Sequence, residues 1–112
     1  MSERIKKLND LLRDEVGKIL QSELRLADEV LVTVMSARVS PTLEHATILI
    51  SVIPKDKAKA VLGTIDKQIY FLQQFLNKRL AMHPVPKIRF EIDHSEERAN
   101  QIDRILEKMP EE

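Results

Sequence analysis

The chain has 112 residues, with 18 Lys and Arg set against 18 Asp and Glu, no cysteine and only two glycines. A length of this order suits one domain over residues 1–112, burying about 65% of its unfolded surface and leaving no room for a second core. Without cysteine there is no disulfide framework and no thiolate site, which fits a reducing compartment. The charged start, Met-Ser-Glu-Arg-Ile-Lys-Lys-Leu, and the lack of any apolar run near ~18 residues predict a soluble, cytoplasmic chain that makes no membrane contact.

From Glu3 to about Leu24, Ile5, Leu8, Leu12, Val16, Ile19 and Leu24 recur at helical spacing, so an amphipathic helix is predicted, with Ser2 as its N-cap. Gly17 lies inside that pattern and suggests close packing against a sheet. From Glu29 to about Val39 the period changes to two, and the β-branched density of Val30, Val32 and Val34 predicts a strand. Ser40-Pro41-Thr42-Leu43-Glu44 supplies turn residues. His45 to Val52 then alternates again with Ala46, Ile48, Ile50 and Val52 on one face, which completes an antiparallel hairpin.

Pro54 closes the second strand, and Asp56 is the expected cap of a helix running to about Met82. Its buried stripe is Val61, Leu62, Ile65, Ile69, Leu72, Leu76 and Leu80, and Gly63-Thr64 is a place for it to bend. Pro84 and Pro86 should end it, because the residue before a proline is pushed toward extended backbone. Lys87 to Ile92 alternates as a third strand with Ile88, Phe90 and Ile92 inward. A last helix from about Ser95 to Met109 follows, capped by Asp93 or Ser95. The order α-β-β-α(α)-β-α, with a long helical crossover placing strands two and three parallel, predicts a two-layer α+β fold of the type II KH arrangement, a three-stranded mixed sheet with helices on one face.

The zero formal balance hides a segregation of charge, since residues 1–54 sum to −1, residues 55–89 to +6 and residues 90–112 to −5. In the middle block Lys55, Lys57, Lys59, Lys67, Lys78, Arg79, Lys87 and Arg89 face only Asp56 and Asp66. These eight are the candidate RNA-binding residues, expected to gather into one positive side that follows a phosphate backbone. Lys78 and Arg79 also suit the C-terminal dipole of their helix, but that does not account for Lys87 and Arg89 at outward strand positions. Tyr70 and Phe71 offer a stacking face only weakly, because Phe71, Phe75 and Phe90 read as core.

Nothing in the chain reads as catalytic. His45, His83 and His94 lack metal-ligand spacing, Asp93 with Glu96 and Glu97 reads as a helix cap, and Gly17 and Gly63 make no phosphate loop. No cofactor, metal or small-molecule substrate is expected.

Arg4-Ile5-x-x-Leu8, Val32-Thr33-Val34, Val39-Ser40-Pro41-x-Leu43-x-x-Ala46, Leu76-x-x-Arg79-Leu80 and Pro86-x-Ile88-Arg89-Phe90-x-x-Asp93, in that order, resemble the bacterial ribosome-binding factor A family over about residues 3–108. The resemblance implies a non-catalytic KH-like domain, expected to act as a monomer, that binds the small ribosomal subunit during late assembly and helps 16S rRNA mature. It also implies a kinked helix-helix junction in place of the Gly-x-x-Gly loop of ordinary KH domains. This chain departs twice from the family pattern, with Gln68-Ile69-Tyr70 where an Ala/Ser-x-Gly kink is usual and Thr42 where Asp usually follows the hairpin proline. The competing expectation is a protein-interaction adaptor whose charges only keep it in solution.

Overall fold

The computed structural model describes residues 3–95. Helix α1 (Glu3–Glu23) is followed by strands β1 (Leu31–Val39) and β2 (His45–Ile53). A single 3-10 turn at Lys55–Lys57 leads into helices α2 (Ala58–Lys67) and α3 (Ile69–Arg79), and strand β3 (Lys87–Ile92) comes last. The sheet runs β1-β2-β3, with β2 antiparallel to β1 and parallel to β3, so α2 and α3 together form the crossover between the parallel pair. This is the mixed three-stranded α+β arrangement of a type II KH-like fold.

The apolar alternation of the strands decides which face is covered. Ala46, Ile48, Ile50 and Val52 of β2, with Ile88 and Phe90 of β3, join Leu12, Val16 and Ile19 of α1, Val61 and Ile65 of α2, and Leu72 and Leu76 of α3 in one buried cluster. Each large apolar side chain among them contributes about 1.5–3 kcal/mol relative to exposure, so all three helices are held on one face. Thr47, Leu49 and Ser51 of β2, with Lys87 and Arg89 of β3, point the other way. Among the described residues no helix covers them.

β1 needs one irregularity to fit. Val32 pairs with Val52 and Val34 with Ile50, but Ser36 pairs with Leu49 and Ala37 with Ile48, leaving Met35 in a bulge. The inward positions therefore change parity, from Val32 and Val34 before the bulge to Ala37 and Val39 after it.

Two amide side chains fasten helices to strands. Asn9 Oδ1 accepts the Val39 N–H at 2.9 Å, tying α1 to β1. Gln73 Oε1 accepts the Ile88 N–H at 2.9 Å while its Nε2 donates to Pro86 O at 3.1 Å, tying α3 to the first residues of β3. Both satisfy backbone groups that the sheet leaves open.

Several expectations are corrected. The helix that periodicity alone reads as one is two, as the α(α) order and the resemblance imply, interrupted at Gln68 (φ −105°, ψ 8°), whose N–H bonds to Ile65 O before Leu72 N–H bonds to Gln68 O and a new helix starts. Gly63-Thr64 does not break the helix, since α2 runs through both, with Thr64 Oγ1 donating to Ala60 O at 3.1 Å. Asp56 caps nothing: it lies inside the 3-10 turn, and the N-cap position of α2 is Lys57, without a side-chain cap. α3 stops at Arg79, well before Pro84, where Leu80 turns extended (ψ 141°) and buries its side chain. Gly17 marks no close approach, since a Cβ there would meet nothing within 4 Å. β1 begins at Leu31 rather than Glu29, which lies in a turn closed by Val30 N–H to Ala27 O. Asp93 Oδ1 accepts the Ser95 N–H at 2.8 Å, and the rest of the predicted last helix and Ser2 lie outside the described residues.

Candidate nucleic-acid interface

All eight cations singled out from the sequence are exposed, but the fold distributes them in three groups rather than on one side. Lys87 and Arg89 occupy the bare face at the start of β3. Lys55, Lys57 and Lys59 follow the far end of β2, and since His45 pairs with Lys87, the nine residues of β2 put roughly 25 Å between these two groups. Beside the second group is a cleft of about 380 Å³ lined by Lys55, Lys59, Leu62 and His94. Lys67 ends α2, and Lys78 and Arg79 end α3, so this third group belongs to the helix layer. Backbone topology, which sequence spacing does not show, sets the three apart.

Two of the eight are engaged by carboxylates. Arg79 Nε donates to Glu15 Oε2 at 2.6 Å, locking α3 to α1, and Arg89 Nη2 lies 3.0 Å from Glu91 Oε2 on the same strand face. The hydrogen bond from Arg79, helped by Lys18 at 3.6 Å, holds the Glu15 carboxyl below the usual carboxylate range. Lys55, Lys57, Lys59, Lys67, Lys78 and Lys87 form no ion pair among the described residues.

The bare face also holds a cation that the sequence reading missed. Arg38 pairs in register with Thr47, and Thr47 with Arg89, so two guanidinium groups flank one threonine, with His45 beside Lys87 at the strand start. Arg38 follows the bulge, and unbroken alternation from Val32 would have assigned it to the core side.

The aromatic residues overturn a second expectation. Phe90 is buried, but Tyr70 is 67% exposed, Phe71 63% and Phe75 37%, all on α3 and close behind the break at Gln68. Tyr70 and Phe71 meet edge to face, with ring centroids 5.7 Å apart and planes at 82°. Leu72 and Leu76 take the inward positions, which leaves the rings for solvent. No three potential metal ligands gather among the described residues, and no described helix is long and apolar enough to cross a membrane.

Known proteins share this fold. The ribosome-binding factor A profile matches residues 4–106. The chain belongs to the ribosome-binding factor A family. Ribosome-binding factor A of Nitrosococcus oceani is 30% identical over 106 residues, covering 94% of this chain and 84% of that one. The crystal structure of ribosome-binding factor A from Thermus thermophilus superposes with a TM-score of 0.71 at 16% identity, over 81% of this chain and 97% of that one. A homology model of the Thermus thermophilus ribosome binding factor A, fitted into the cryo-EM map of a 30S–RbfA complex, gives 0.68 at 17% identity, over 79% and 93%. At these identities the ribosome-binding factor A structures establish the fold. The break at Gln68 falls at the position where the resemblance implies an interhelical kink, here without glycine.

Proposed function

We propose that this chain is a non-catalytic ribosome assembly factor of the cytoplasm, a monomeric KH-like domain spanning residues 1–112 that binds the small (30S) ribosomal subunit, contacts 16S rRNA and assists its late maturation. Membership of the ribosome-binding factor A family over residues 4–106 carries this reading, and a family homologue fitted into a 30S complex supports it. Lys87 and Arg89, with Arg38 beside them, offer phosphate contacts on a face that no described helix obstructs. Lys55, Lys57, Lys59, Lys67, Lys78 and Arg79 are the remaining contacts of this reading. If three or four of the cations neutralise phosphates, log affinity falls with log salt at a slope of roughly −2 to −3 for single-stranded RNA.

The adaptor reading draws on the Arg79–Glu15 and Arg89–Glu91 pairs, which engage two cations within the chain. Cosedimentation with small subunits, with and without RNase, separates the two. The K87E/R89E variant should lose about tenfold or more in subunit association with an unchanged circular dichroism spectrum. Association at the wild-type level, or RNase-resistant capture by a protein, would favour the adaptor.

A further inference from the structure

Three of the four aromatic side chains of this chain stand exposed within two turns of one helix, while Leu72 and Leu76, next to them in sequence, fill the core. Phe71 and Tyr70 thus forgo the burial that Leu72 and Leu76 obtain, although nothing in the helical periodicity required rings at those positions. Edge-to-face contact engages part of each ring and leaves the rest of the ring surface open for a further flat partner. Lys67 lies three residues before Tyr70 across the break. Lys78 lies seven residues after Phe71, about two turns on, about 10 Å along the axis and within about 20° of the same side. Between them α3 carries no carboxylate, and Asp66 precedes Lys67 on α2.

Resting on the RNA-binding reading above, we propose that the outward face of α3 is a stacking platform for unpaired bases of single-stranded RNA, with Tyr70 and Phe71 as the platform, Phe75 as its extension, and Lys67 and Lys78 as phosphate contacts. Charge complementarity selects this occupant. An unpaired nucleotide joins a π-surface to an anion, and this ridge joins π-surfaces to cations that have no ion-pair partner among the described residues. An amphipathic protein helix would match the rings, but only an acidic one would match the lysines. Duplex RNA presents its phosphates while hiding its base faces, so the platform discriminates in favour of single strands.

The test uses the full chain. It contains no tryptophan and one tyrosine, so an F71W variant reports on the ridge alone when excited beyond the nucleobase band. Titration with a short oligoadenylate should quench that emission, and duplex RNA should do so far less. Y70A/F71A should lower single-strand affinity about tenfold or more, whereas Y70F/F71Y, which keeps both rings, should retain it. K67E/K78E should reduce the salt slope by roughly one to two. Wild-type affinity of Y70A/F71A for both oligoadenylate and small subunits would overturn the platform while leaving the RNA-binding reading intact. Loss on the subunit without loss on the oligonucleotide would overturn it too, by putting a protein on the ridge. A wild-type chain that binds neither RNA nor subunit would remove both.

Discussion

The bare face of the sheet and the outward face of α3 both present cations, but to different neighbours. On the sheet, Arg38 and Arg89 flank Thr47, Lys87 adjoins His45, and Glu91 takes part of the Arg89 charge. Around α3, Lys67 at the end of α2 and Lys78 bracket the aromatic rings, and α3 itself carries no acid. On the proposed reading, charge alone would suit the two surfaces equally to phosphates, while the flat apolar groups would suit only one of them to bases. A basic segment in a sequence is thus not yet an interface, because strand parity and helix phase decide what each cation is set among.

Gln73 joins the two surfaces, so its loss should have the largest effect on their relation. Q73A deprives the Ile88 N–H and Pro86 O of their side-chain partner and should destabilise the chain by about 1–3 kcal/mol, read as a lower urea midpoint at unchanged slope. An unchanged midpoint would mean that core packing alone holds α3 against β3. Glu15 acts on the helix side only. Its carboxyl is depressed in the folded state, so its contribution is complete above the ordinary carboxylate value and disappears as pH falls through the lowered one. E15Q should therefore cost under about 1 kcal/mol at neutral pH, with the gap to wild type closing in acid; a gap independent of pH would show that the ion pair is not its source. Leu43 acts on the sheet side, where the hairpin loop lies beside Lys87. Its φ of 64° is left-handed, so L43G should raise thermal stability by about 0.5 kcal/mol or less, once the greater freedom of glycine in the unfolded chain is set against the relief of strain. A lower melting temperature would show that Leu43 packing outweighs its backbone cost.

Much of the fold was legible because the apolar periods are clean. Ala46, Ile48, Ile50 and Val52 gave one strand face, and Val61, Ile65, Leu72 and Leu76 gave a helical stripe, all of them buried as expected. The same stripe concealed the break at Gln68, because spacings of four, seven and four suit a continuous helix as well as two helices joined in phase. Gly63 attracted the hinge only because glycine is permissive, while intact hydrogen bonding carries the helix through it. Hydrophobicity alone points Phe71 and Phe75 inward, but Leu72 and Leu76 already occupy the inward positions. The cations were legible one by one, but not their separation, which depends on where β2 ends relative to β3.

The unpaired methionine of β1 has an effect well beyond its own position. By absorbing one residue it offsets the rest of the strand by a half-period, and Arg38, which unbroken counting would point at the helices, faces outward in line with Arg89 instead. A single extra step in the backbone thus recruits a guanidinium to the open side of the sheet.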